Sequence, residues 1–302
     1  MPTGRRLLGA LAALAAVGLL GACGSSETHA EAPIAAPIEG DRLTTLPLQD
    51  FIRGWPEENA ILIRDINRLT ERCMADRGFS YAGHPIPDER DARVAWRYGP
   101  ITAADAALGY TPHSEDAPPP LDDHAIVGQG TTYLQAFAGR QTRSEIVSVK
   151  DPHGHHIASY YRGGCDGRAE LTVYQHWSRI EGMRSTLDDI QGEAYTKAGH
   201  DPRVEEAAQH WHRCMAARGY DFEDPEAALD RPWADPPSAG ELRTAKADVA
   251  CKRSSRFAAT ISAVEAAYER RGLNRFPGLY QDYLDARRTI VAHAAEDLGR
   301  HP

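Results

Sequence analysis

The sequence predicts a mainly α protein with one small antiparallel β-hairpin, an α+β chain built from two divergent helical repeats that are each stapled by a disulfide. Three observations predict it. Apolar residues recur at helical spacing through most of the chain beyond residue 48. The segment Arg72-Cys73-Met74-Ala75-Asp76-Arg77-Gly78-Phe79-Ser80-Tyr81 returns 141 residues later as Arg213-Cys214-Met215-Ala216-Ala217-Arg218-Gly219-Tyr220-Asp221-Phe222, with six identities in ten positions and aromatics kept at two more. Finally, Cys73, Cys165, Cys214 and Cys251 form an even set distributed over the two copies.

Taken in order, the chain opens with Arg5 and Arg6, an apolar or glycine run from Leu7 to Leu20, and then Leu20-Gly21-Ala22-Cys23. The run suits the hydrophobic stretch of an export signal and is short for a membrane span. The arrangement resembles bacterial lipoprotein signal peptides. That resemblance implies removal of residues 1–22 and a thioether-linked diacylglycerol on Cys23, with acyl chains of the palmitate kind. Two acyl chains, at about 0.8 kcal/mol per buried methylene, hold a protein where one chain binds only transiently. The expected location is therefore the extracytoplasmic face of the cell membrane, with the membrane itself a partner through the lipid. Residues 23–47 are small, polar and aperiodic, with Pro33 and Pro37, and read as a tether.

The first repeat is assigned to residues 48–199. Pro56 suits a first helical position; Leu62, Ile66, Leu69 and Cys73 follow along one face, and Gly78 suits the position just past the helix end. Residues 84–143, with Pro118-Pro119-Pro120 and Gly128-Gln129-Gly130, read as a long irregular insertion. Ser144 to Lys150, the turn Asp151-Pro152-His153-Gly154, and His155 to Tyr161 read as the hairpin. Gly163-Gly164 breaks it, and Cys165 opens a helix carrying Ala169, Val173 and Trp177 on one side.

Residues 200–302 form the second repeat. Asp201 caps, Pro202 starts, Val204, Ala208, Trp211 and Met215 line a face, and Gly219 stops. Ser238 and Glu241 have the spacing of a capping box. It would start one long helical stretch through Leu242, Val249, Phe257, Ile261, Val264 and Tyr268 to Gly272, before a last helix from Leu279 to Leu298 that stops at Gly299.

Outside the cytoplasm such thiols end as disulfides. Four cysteines permit three pairings. The duplication favours one bridge per repeat, Cys73 with Cys165 and Cys214 with Cys251, and a Cys73–Cys214 bridge is the alternative if the two helices pack together. Loops of 92 and 37 residues would be worth roughly 4 to 4.5 kcal/mol each on the chain-entropy account.

Composition narrows the function. Of 302 residues, 25% are charged and 42% hydrophobic, as in ordinary globular proteins, and a mean hydropathy of −0.50 excludes a multi-span membrane protein. Losing Arg5 and Arg6 with the leader takes the formal charge from −9 to −11, which disfavours nucleic acid as a partner. No GxSxG, HExxH, P-loop or complete GxGxxG occurs, so no catalytic residues and no cofactor are assigned.

The remaining chemical candidates are weaker. His153, His155 and His156 crowd one hairpin tip and could ligate zinc, nickel or copper, although a solvated turn explains them as well. His210 and His212 lie about 200° apart on a helix and cannot chelate together. Asp122-Asp123-His124 and Asp188-Asp189 offer paired carboxylates that read first as solvated charge. Trp177, Trp211, Tyr220 and Phe222 read as core.

The leader, the paired Cys-Met-x-x-x-Gly-aromatic motifs, Gly163-Gly164-Cys165 and Asp248-Val249-Ala250-Cys251 together resemble an uncharacterised family of secreted actinomycete lipoproteins. This resemblance implies an exported, disulfide-bonded chain and no particular activity. The expected role is a membrane-anchored binding or interaction module. The alternatives are a cell-envelope hydrolase with its site in 84–143 and metal capture at 153–156.

Overall fold

Pro56 begins the first long helix, as its fixed φ and missing N–H lead one to expect. The computed structural model describes residues 32–34, 42–86, 97–110, 129–234 and 236–300, which belong to one compact unit. A short helix α1 (Gln49–Arg53) precedes α2 (Pro56–Ala75). Leu62, Ile66, Thr70 and Met74 of α2 are buried, whereas Leu69 and Cys73 of the predicted face are only half-buried. The inward stripe is therefore turned slightly from the predicted one.

The described parts of the 84–143 segment depart from an irregular insertion. They contain α3 (Ala103–Ala106), held by a Thr102–Asp105 capping box, and α4 (Thr131–Ala138). Tyr98, Tyr110, Tyr133 and Phe137 from this segment are buried. These described parts thus belong to the core, and aromatic anchors rather than a periodic pattern tie them down.

The hairpin forms as predicted, from β1 (Ile146–Lys150) and β2 (His156–Tyr161), antiparallel from Ile146↔Tyr161 to Lys150↔His156. Residues 143–145 form a 3₁₀ turn instead of extending β1. The following helix is split in two, α5 (Gly164–Val173) and α6 (Trp177–Gly199), because His176 takes a left-handed conformation with φ +50°. Ala169, Val173 and Trp177 are nonetheless all buried.

Helix α7 (Pro202–Ala216) starts at the predicted cap, with Asp201 accepting from the Arg203 amide at 3.1 Å. Both repeat helices close identically. Gly78 (φ +79°) donates to Ala75 O at 2.9 Å and Phe79 to Met74 O at 3.0 Å; Gly219 (φ +83°) donates to Ala216 O at 3.0 Å and Tyr220 to Met215 O at 3.1 Å. This is a Schellman closure, which requires a left-handed residue at that position and so explains the glycine shared by both copies.

After α8 (Pro225–Leu229), Ser238 caps α9 (Ala239–Ser255) by accepting from Glu241 N at 3.1 Å. The reciprocal half of the box is replaced: the buried Glu241 carboxylate accepts from Tyr110 N at 2.9 Å, holding the end of the 97–110 segment. The single long stretch predicted here is broken at Arg256 (φ +56°), giving α10 (Phe257–Leu273), and Gly299 falls inside α11 (Leu279–Arg300) instead of ending it.

Helix α10 is buried on nearly every face and packs along α6, where Gly272 admits Ile190 so closely that a Cβ would stand 2.6 Å from its Cγ2. The disulfides are Cys73–Cys165 and Cys214–Cys251, one per repeat, joining α2 to α5 and α7 to α9. Among the described residues no helix is long and apolar enough to cross a membrane.

Candidate functional site

The hairpin docks its turn against the start of α6 because Gly182 has no side chain; a Cβ there would collide with the carbonyl oxygen of Lys150. The turn is folded by Asp151, whose Oδ1 accepts from the amides of His153 (2.9 Å) and His155 (2.8 Å). Partial desolvation would raise the Asp151 carboxyl, but the hydrogen bonds from His155 and His153 more than offset it and leave the group below its ordinary range.

Between this turn, α6 and the beginning of α11 lies a cavity of about 740 Å³. Its floor is apolar, with Met183, Phe276 and Leu279. Around it stand Lys150, Asp151, His153, Arg179 and Asp282, charges of both signs. A concave apolar floor with a few polar groups, in a volume suited to a small molecule, is the form that binding sites take. The His153 ring lies 5.0 Å from that of Phe276 and so belongs to the cavity wall.

The three hairpin histidines do not converge. The His153 and His155 rings are 6.2 Å apart, His155 Nδ1 lies 3.0 Å from Asp151 Oδ2, and His156 Nε2 is 2.9 Å from Ser159 Oγ. Among the described residues no group of three His, Cys, Asp or Glu side chains could hold a metal ion. Only His153 of the predicted trio therefore reaches the cavity.

Other predicted residues are dispersed. Cys23, Asp122, Asp123 and His124 lie outside the described residues. Asp188 pairs with Arg184 at 2.5 Å on an exposed face of α6, and its neighbour Asp189 is exposed. His212 Nδ1 is 2.6 Å from Phe222 O, while His210 faces solvent. Trp177, Trp211 and Phe222 are core, as predicted, and Tyr220 packs at its edge.

Two features escaped the sequence reading. The first is a buried polar knot: Asp248 accepts from Trp211 Nε1 (2.8 Å), Tyr110 OH (3.0 Å) and Lys252 Nζ (2.8 Å), and Lys252 also donates to Tyr98 O (2.6 Å) and Pro100 O (3.2 Å). Burial pushes the Asp248 carboxyl up and the Lys252 ammonium down, and each opposes the shift of the other. The spacing of four was legible, but it reads equally as a surface ion pair.

The second feature surrounds the disulfides. Arg77, four residues after Cys73, places Nη1 2.7 Å from Cys73 Sγ and 2.8 Å from Cys165 Sγ; Arg218, four after Cys214, places Nη1 2.8 Å from Cys214 Sγ. Both also donate to the carbonyl of their cysteine, at 2.9 and 3.2 Å. The arginine shared by the two copies is thus a helix-end cap that also covers the staple. Comparison with protein-family models, with curated proteins and with solved structures returns no match.

Proposed function

We propose that this chain is a lipid-anchored extracytoplasmic binding module that takes a small polar ligand in the cavity between the hairpin turn and α11. The observation that carries the reading is the cavity itself, with an apolar floor and a rim bearing Lys150, Arg179, Asp151 and Asp282. Such a rim suits a compact molecule with separated charges, of the amino-acid or short-peptide kind. The two disulfides favour an oxidising compartment, which is where an export signal at residues 1–22 would deliver the chain.

The experiment has two arms. Thermal-shift titration with amino acids, di- and tripeptides and small sugars should raise the melting temperature of the wild-type chain with one class and leave Arg179→Ala/Asp282→Ala unshifted. Equal shifts in both proteins, or none with any class, would remove the cavity from the reading. Separately, Cys23→Ala should abolish acyl labelling and release the protein from membranes; unchanged retention would refute the anchor.

A further inference from the structure

The two staples share one plan and differ at one position. The residue three places after the second cysteine is Arg168 in the first copy and Ser254 in the second. Arg168 Nη2 lies 3.1 Å from Cys73 Sγ, and Ser254 Oγ lies 3.5 Å from Cys214 Sγ. At the first staple two guanidinium groups therefore stand against the two sulfurs of one disulfide, which are only weak acceptors. Among the described residues neither Arg77 nor Arg168 has a carboxylate within ion-pair distance.

These two arginines open onto a basin of about 320 Å³ together with Arg140, which likewise has no acidic partner among the described residues, and the Gly164 end of α5. One carboxylate, Glu145, lines the same basin. It accepts from the backbone amides of Thr142 (2.9 Å) and Arg140 (3.3 Å), and it makes no ion pair with any of the three arginines. Three exposed guanidinium groups, from the turn after α2, from α5 and from the loop after α4, thus share this basin with a single carboxylate in a chain of formal charge −9, and a further anion among them would offset the positive charge left over.

We propose that this basin is a phosphate-binding site. A planar carboxylate is satisfied by one bidentate guanidinium fork, whereas three cations around one basin suit a tetrahedral oxyanion with several oxygens to share. The phosphate could belong to a soluble phosphate ester or to a lipid headgroup. Because the site involves none of the residues around the hairpin cavity, it stands or falls independently of that reading.

The test titrates methyl phosphate into the oxidised full-length chain by calorimetry, and in parallel sediments the chain with phosphatidylglycerol or phosphatidylcholine vesicles. The expected result is binding that weakens as salt rises. It should fall about tenfold or more in Arg168→Ser, which copies the second staple, and in Arg140→Gln, while Arg218→Gln leaves it unchanged. Circular dichroism melts establish that each variant folds. Arginine-dependent capture by phosphatidylglycerol vesicles without methyl phosphate binding assigns the site to headgroups, and the reverse assigns it to soluble esters. Failure to bind either, or binding indifferent to Arg168 and Arg140, overturns the proposal.

Discussion

The two copies of the duplicated motif end in the same Schellman turn, carry the same arginine over the same kind of disulfide, and bury residues at matching positions: Ile66, Thr70 and Met74 in α2 against Ala207, Trp211 and Met215 in α7. What surrounds them differs. Behind the second staple the chain has closed a polar knot, in which every donor of Lys252 and three acceptances of Asp248 are used. Both staples have an exposed arginine over them, but the first gathers a second one, Arg168, where the second has Ser254, and no such knot stands behind it among the described residues. The shared motif therefore specifies a helix end and its staple, and the partners that each copy recruits decide whether the region is a sealed structural joint or an open surface.

The strongest way to break this comparison is to remove one cation from each side. Lys252→Ala leaves Asp248 buried without its cation, and frees the loop held through Tyr98 O and Pro100 O. A loss of about 3–5 kcal/mol is expected in urea unfolding at pH 7. Arg168→Ala removes a surface group and should cost no more than about 0.5 kcal/mol. Similar losses in the two variants would show that the copies are energetically alike after all.

A second test concerns a buried acid that lacks the compensation Asp248 enjoys. Glu269 and Glu265 are neighbours on α10, and both are inaccessible to solvent. Glu265 takes Arg97 and the Tyr98 hydroxyl at 2.5 Å, whereas Glu269 takes only Leu48 N at 2.8 Å, and its Oε1 is buried without a partner among the described residues. Burial pushes the Glu269 carboxyl up from 4.5 to about 7; Glu265 adds to the rise, while the Leu48 amide, Arg97 and Arg270 oppose it. A carboxyl whose folded pKa lies above its unfolded value favours folding most below the unfolded value, and that advantage is lost as pH rises. Stability should therefore decline between about pH 4.5 and 7 by up to ~3 kcal/mol on this group. Glu269→Gln should flatten the decline in denaturant titrations across that range; an unchanged slope would mean that the carboxyl is solvated in the folded protein.

The fold was legible wherever a backbone rule acted locally. Pro56 and Pro202 start helices, Gly78 and Gly219 stop them, Asp201 and Ser238 cap, and the pairing of cysteines followed from the duplication. It failed where a tertiary contact overrode the pattern. No glycine or proline marks the break at Arg256 or the kink at His176, and nothing periodic announces that Tyr98 and Tyr110 are core anchors. The candidate cavity was half legible. His153 stood out as part of a histidine cluster, but Arg179 and Asp282 reach it from helices distant in sequence, and only packing on Gly182 brings the turn to them.

The finest distinction between the copies rests on a single matched position, Thr70 in α2 and Trp211 in α7. Trp211 Nε1 donates to Asp248 at 2.8 Å in the sealed knot. Thr70 Oγ1 is equally buried but has no hydrogen-bond partner among the described residues. Removing a satisfied donor and removing an orphaned one should have opposite signs. Trp211→Phe strips a donor from a buried carboxylate and shrinks a core side chain, so a loss of about 2–3 kcal/mol is expected. Thr70→Val replaces the orphaned hydroxyl with a methyl of nearly the same shape and should be neutral or stabilising by up to about 1 kcal/mol. Were Thr70→Val to cost more than about 1 kcal/mol in the same unfolding assay, the hydroxyl would have a partner, and the first copy would be less open than its geometry indicates.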